Sequence, residues 1–159
     1  MKTIWITGGS TGIGYSTAKK FIDEDWTVII SSSNSKKLEN AKKNLIKLTK
    51  KSKIYSLKCD ISNRDEVHKV VKKIENDISP IDIALLNAAA YSPNKTQEFD
   101  INNYEKLIDT NLKGTLYCIE ILDTIMSAKN NGHIAIVASP TGYRGLPTSG
   151  AYGSTKAAL

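Results

Sequence analysis

Cysteine is scarce in this chain of 159 residues: only Cys59 and Cys118 are present. They stand at no metal-ligand spacing and are too few for a disulfide framework. No metal site is expected, and the reading is a reducing cytoplasm. Long apolar runs are missing too, none approaching the roughly 18 residues that a membrane-spanning helix needs. The opening stretch Met1-Lys2-Thr3-Ile4-Trp5-Ile6-Thr7 breaks at Gly8-Gly9, too soon for a secretory leader. No repeat, low-complexity tract or linker divides the chain, so its length predicts a single domain. Acid is in deficit, with 16 Asp and Glu against 22 Lys and Arg. Much of the excess lies at Lys36, Lys37, Lys42, Lys43, Lys47, Lys50, Lys51 and Lys53. Aromatic residues hardly interleave there and no nucleic-acid motif accompanies them. A solvated helix face is the better reading than a nucleic-acid surface.

What the chain does have is a regular alternation of short apolar runs and amphipathic stretches, the pattern of a parallel sheet built from strand–helix units. Strands are predicted at Thr3–Thr7, Thr27–Ser31, Ile54–Leu57, Ile81–Leu86 and Gly132–Ala138. Ile81–Leu86 is apolar enough for a central strand covered on both faces. A helix is predicted over about Gly12 to Asp23. A second is marked by the face Leu38, Ala41, Leu45 and Leu48. A third follows the capping-box pattern Ser62-Asn63-Arg64-Asp65, with Val67, Val70, Val71, Ile74 and Ile78 behind it. After a polar loop from Tyr91 to Asp100, one long helix should turn Tyr104, Leu107, Ile108, Leu112, Thr115, Leu116, Ile119 and Leu122 inward. A loop from Ser139 to Gly150 leads to a last helix. The expectation is a doubly wound α/β fold with strand order 3-2-1-4-5.

Two motifs carry the chemistry. Thr7-Gly8-Gly9-Ser10-Thr11-Gly12-Ile13-Gly14 lies between the first strand and the first helix, where a dinucleotide pyrophosphate binds in such folds. Gly8 suits the tight turn, Gly12 lets the backbone approach phosphate, and Gly14 permits close helix packing. The run Tyr152-Gly153-Ser154-Thr155-Lys156 puts a phenol and an ammonium on one helix face. A phenol ordinarily holds its proton to about pH 10, and each unit of lowering needs about 1.4 kcal/mol of preference for the anion. A nearby cation supplies that preference.

The TGxxxGIG run and YxxxK, in this order and separation, resemble the short-chain dehydrogenases/reductases, and the resemblance covers the whole chain. It implies a Rossmann-like NAD(P)-binding domain and a catalytic group of Asn111, Ser139, Tyr152 and Lys156. In that group Tyr152 is the acid/base. Lys156 favours its anion and binds the nicotinamide ribose. Ser139 bonds the substrate oxygen, and Asn111 holds a water in the proton relay. For the cofactor it implies Gly8, Ser10, Thr11, Gly12, Ile13 and Gly14 at the pyrophosphate, Ser33 at the adenine ribose, and Asp60 and Ile61 near the adenine. Asn87 and Ala88 follow the fourth strand, and Tyr152 and Lys156 complete the set. The activity implied is NAD(P)H-dependent interconversion of a carbonyl and a secondary alcohol, by a homo-oligomer when the chain is full length.

Some positions depart from the family pattern. Leu86-Asn87-Ala88-Ala89 stands where NNAG is usual, and Ala138-Ser139-Pro140-Thr141-Gly142 where SSxAG is common. Pro140 biases Ser139 toward an extended backbone. The end of the second strand, Ser31-Ser32-Ser33-Asn34, lacks the acid that excludes a 2′-phosphate, and Lys36 and Lys37 follow. NADP is therefore favoured over NAD. Tyr143, Leu146 and Pro147 suggest a partly apolar substrate pocket, whereas His68 and His133 read as structural residues without partners. Family members continue well past YxxxK, so residues 1–159 read as the N-terminal part of the domain, with the fifth strand left as an unpaired edge. Two readings stay open: an oxidoreductase, or a non-catalytic nucleotide-binding or interaction module.

Overall fold

The computed structural model describes residues 1–49, 53–93 and 99–159. Lys50 and Lys51 of the lysine-rich stretch, and residues 94–98 of the polar loop, lie outside them. Five strands, β1 (Thr3–Thr7), β2 (Thr27–Ser32), β3 (Ile54–Lys58), β4 (Ile83–Leu86) and β5 (His133–Ile136), pair in the order β3-β2-β1-β4-β5, every pair parallel. The register sets Thr3 against Thr27 and Ile4 against Ile83. The helices are α1 (Gly12–Asp23), α2 (Ser35–Ile46), α3 (Arg64–Asp77), α4 (Ile101–Leu107), α5 (Gly114–Ala128) and α6 (Gly150–Ala157).

Side chains on a strand alternate between faces, and β1 and β2 divide their apolar residues accordingly. Ile4, Ile6, Val28 and Ile30 pack with Ala18 and Ile22 of α1 and Leu38, Ala41 and Leu45 of α2. Trp5, Ile29, Ala84 and Leu86 face the other way, onto Val67, Val70, Val71 and Ile74 of α3 and Cys118, Ile121, Leu122 and Met126 of α5. Each fully buried Ile, Leu or Val contributes about 1.5–3 kcal/mol relative to exposure. Trp5 keeps its indole satisfied by donating Nε1–H to Ser31 Oγ at 3.1 Å. The exposed lysines Lys36, Lys37, Lys43 and Lys47 stand opposite the buried stripe of α2, as a solvated face requires.

Several expectations need correction. β4 is shorter than the run Ile81–Leu86, and Ile83 and Leu85 are only partly buried, because α1 and α2 cover β1 and β2 first. β5 is shorter than the stretch Gly132–Ala138, though it is the sheet's edge as expected, with Ile136 at 36 % exposure. Leu48 lies past the end of α2 and is exposed. The α3 cap is Asn63, whose side chain accepts from Glu66 N at 3.1 Å, while the Ser62 hydroxyl donates to Asp60 Oδ1 at 2.7 Å. His68 is not partnerless: its Nε2 lies 3.1 Å from Glu120 Oε2, which also accepts from Arg64 Nε at 2.8 Å. These bonds from Arg64, with a smaller share from His68, hold the Glu120 carboxyl down at about 2.

The long helix is interrupted. Residues Ile108–Lys113 form a π segment between α4 and α5. A π turn adds a residue per turn and shifts the phase of everything after it. Gly114, Thr115, Cys118, Ile121 and Leu122 face inward as a result, while Leu116 is 50 % exposed. Among the described residues no helix is long and apolar enough to cross a membrane.

Both thiols are buried. Burial, aided by the carboxylates of Glu66 and Asp60, pushes Cys59 up from 9.0 to about 12, and burial raises Cys118 further. The folded chain keeps protons that the unfolded chain releases near pH 9. The stability linked to these thiols is therefore fully present below about pH 9 and is lost as pH climbs toward 12. Native protein at pH 8 is expected to resist iodoacetamide at both positions, by mass spectrometry of alkylated peptides, until denaturant is added. Rapid native alkylation of Cys59 would contradict this burial.

Candidate active site

The sheet order reverses between β1 and β4, the switch point at which open α/β sheets bind ligands. A cleft of about 740 Å³ opens there, within the usual range for small-molecule sites. Of the residues assigned to the cofactor from the sequence, Gly8, Ser10, Thr11, Ser33, Asp60, Ile61, Asn87 and Ala88 line it. Gly12, Ile13 and Gly14 do not; Gly12 lines a second hollow between α1 and α2, and Ile13 is 62 % exposed. Tyr152 and Lys156 also lie outside the lining, although Ala90 and Thr110 bring the cleft up to their neighbours.

Thr7 builds the floor. Its hydroxyl donates to Leu85 O at 3.4 Å and accepts from Asn87 N and Ala88 N, each at 3.0 Å. The Asn87 side chain answers by donating Nδ2–H to Thr7 O at 3.0 Å and Gly8 O at 3.3 Å. The ends of β1 and β4 are thereby tied together under the glycine turn. Gly14 completes the joint: a Cβ there would stand 2.7 Å from both Asn87 Nδ2 and Gly8 O, so only glycine lets α1 come this close. The motif includes Thr7 without giving its role, because its bonding partners lie about 80 residues away.

Gly12 has the opposite surroundings. Its φ is +57°, and a Cβ would meet nothing within 4 Å, so an open space faces its backbone. Asn34, Asn63 and Asp100 cap α2, α3 and α4 with side-chain acceptors, whereas Thr11 gives α1 none. The first amides of α1 keep their donors and its partial positive charge uncompensated by an acid. At the β2 end, Ser10 Oγ donates to Ser32 Oγ at 3.3 Å, and Ser33, Asn34 and Lys37 line the cleft with no acid among them. Asp60 spends its Oδ1 on Ser62 N at 3.0 Å and on the Ser62 hydroxyl. Ala89, where glycine is usual in the family, is exposed at the cleft wall, so its methyl group needs no space made for it.

Asn111 joins the cleft to the YxxxK helix. It sits fully buried in the π segment. Its Oδ1 accepts from Ala90 N at 2.7 Å, and its Nδ2 donates to Ala90 O at 2.9 Å and Thr155 Oγ1 at 3.1 Å. Its backbone carbonyl accepts from Thr115 Oγ1 at 2.7 Å. Thr155, between Tyr152 and Lys156 in sequence, is the partner that sequence reasoning missed; its hydroxyl donates to Tyr152 O at 2.7 Å.

Lys156 is 6 % exposed, and its Nζ donates to Val137 O at 2.7 Å while lying 5.9 Å from the centroid of the Tyr152 ring. Burial lowers its pKa. Ser139 follows β5 in extended backbone, φ −154° and ψ 149°, as Pro140 dictates. Its Oγ accepts from Thr141 N at 3.3 Å and Thr141 Oγ1 at 2.9 Å. The bond to Val137 thus anchors α6 to the segment that carries Ser139. Tyr143 is 95 % exposed and Leu146 about half exposed; neither lines the cleft.

A family model described as short chain dehydrogenase matches residues 2–159. The chain belongs to the short-chain dehydrogenases. It is 30 % identical over 158 residues to an uncharacterised oxidoreductase of Staphylococcus saprophyticus, covering 99 % of this chain and 67 % of that protein. A similar oxidoreductase of Staphylococcus aureus is 27 % identical over 154 residues, covering 97 % of this chain and 65 % of the relative. Among solved structures, levodione reductase superposes with a TM-score of 0.93 at 25 % identity, over 98 % of this chain and 61 % of that one. An NAD+-bound xylitol dehydrogenase gives 0.92 at 25 % identity, over 99 % and 60 %. The 159 residues therefore span about two thirds of the dehydrogenases that they match.

Proposed function

We propose that the full-length protein is an NAD(P)H-dependent oxidoreductase that interconverts a carbonyl and a secondary alcohol, with Tyr152 as acid/base. The observation that carries this reading is the Asn111 cross-link, which fastens the helix of Tyr152 and Lys156 to the wall of the switch-point cleft. The residues present fit a dinucleotide: open backbone at Gly12, uncapped amides at α1, and hydroxyls along the β2 end. A bound nicotinamide supplies the hydride.

The chain's own part is the proton and the alignment. Tyr152 gives its phenol proton to the carbonyl oxygen in reduction and takes one back in oxidation. Lys156 sets positive charge beside the phenol, where negative charge develops as the proton leaves. Its Nζ bond to Val137 O fixes that charge in place. Ser139, already accepting from Thr141, has its own O–H to offer the substrate oxygen. Ser32, Ser33, Asn34 and Lys37 favour NADP over NAD, since hydroxyls, an amide and an ammonium receive a 2′-phosphate and no carboxylate repels it.

The test is cofactor oxidation by the full-length protein against a panel of ketones and aldehydes. Turnover is expected, with NADPH preferred to NADH. A protein that binds the cofactor yet turns over no carbonyl or alcohol would replace this reading with a non-catalytic nucleotide-binding module.

A further inference from the structure

We infer that Tyr91, just past β4, is a positioning residue that holds the Tyr152 ring in its proton-transferring orientation; this rests on reading Tyr152 as the acid/base. The two rings stand edge to face, centroids 5.1 Å apart at 85°. The Tyr91 hydroxyl lies 3.4 Å from Ser149 Oγ, and Ser149 is the residue immediately before α6. The Ser149 carbonyl accepts from Gly153 N at 2.6 Å, so this residue is part of the first turn that carries Tyr152. Tyr91 therefore meets the helix twice, oxygen on Ser149 and ring on the side chain three positions later.

The other end of Tyr91 is anchored as firmly. Both backbone polar groups of Ala90 are bonded to the Asn111 side chain, which in turn holds Thr155. Tyr91 is the outer arm of a closed circuit: Ala90, Asn111, Thr155, Tyr152, and back through the ring pair. Tyr91 is itself 58 % exposed, so filling the core does not account for it. Tyr152 has a cation above its ring and an aromatic edge against it, and these two contacts restrict the rotation of its side chain.

The experiment uses full-length protein with Tyr91→Phe and Tyr91→Ala. An edge-to-face pair ordinarily changes an equilibrium by about 2- to 10-fold. Tyr91→Ala should lower kcat by about that factor while leaving cofactor affinity unchanged, and Tyr91→Phe, which keeps the ring, should restore most of the loss. Side-chain Hα–Hβ couplings of labelled Tyr152 should report one rotamer in the native protein and in Tyr91→Phe, and an average in Tyr91→Ala. Unchanged couplings in Tyr91→Ala overturn the inference, as does unchanged kcat in a protein that turns over substrate. Where the native protein shows no turnover with any carbonyl or alcohol, the acid/base reading fails by itself, and the couplings alone decide whether Tyr91 positions the ring.

Discussion

Tyr152→Phe in the full-length protein is expected to cut kcat by about 10²- to 10⁴-fold, the ordinary worth of a positioned acid/base. The substitution is a clean one here. Phenylalanine keeps the ring, so the edge-to-face contact with Tyr91 and the charge of Lys156 above the ring both survive. Only the oxygen goes. Tyr152 is half-buried, and no protein group needs its hydroxyl to complete the bonds around Asn111 and Thr155. The melting temperature should stay near its native value, and any change in cofactor affinity should be small beside the loss in kcat. Steady-state kinetics beside a cofactor titration check this. Turnover within about tenfold of native would mean that the proton travels by another group.

The second large effect falls on stability. Asn111→Ala removes a side chain with no exposure and strands two partners, Ala90 N–H and Ala90 C=O, while the Thr155 hydroxyl keeps its bond to Tyr152 O. Each buried polar group left unpaired costs about 1–3 kcal/mol. A total of about 2 kcal/mol or more is expected, equivalent to roughly 4–8 °C in Tm for a domain of this size. The same change loosens α6 from the cleft wall, so activity should fall with stability. Thermal and denaturant unfolding measure the first effect. A loss below about 1 kcal/mol would show that the amide is not what joins the cleft to α6.

The strand order and most of the fold were legible because they rest on local signals. The short apolar runs at Thr3–Thr7 and Thr27–Ser31 and the glycine turn between strand and helix each declare themselves within a few residues. The π segment at Ile108–Lys113 did not, since an i→i+5 hydrogen-bond pattern has no residue preference to announce it. Reading one unbroken helix through it put Leu116 inside and left Cys118 and Ile121 out. The site shows the same division. Gly8, Asn87 and Lys156 stand in motifs that assign them a role, whereas Thr7 and Thr155 stand in motifs without one and Tyr91 in a loop without pattern, their contacts spanning about 40 to 80 positions. Tyr143 and Leu146 show the converse: apolar side chains in the right stretch of sequence, pointing to solvent.

The two faces of the sheet differ in when they can close during synthesis. On the α1/α2 face every buried core residue, from Ile4 to Leu45, belongs to the first 45 residues. The opposite face draws its buried residues from Trp5 to Met126. A nascent chain can therefore bury the centre of one side of its sheet, which Ile54, Ile83 and Leu85 join later, while most of the other is still unmade, and the short loops involved keep the entropy of closure small. The cleft draws on both sides, and the YxxxK helix tied to its wall through Asn111 is made well after the segments that form it. The glycine turn is in place long before the acid/base group arrives beside it.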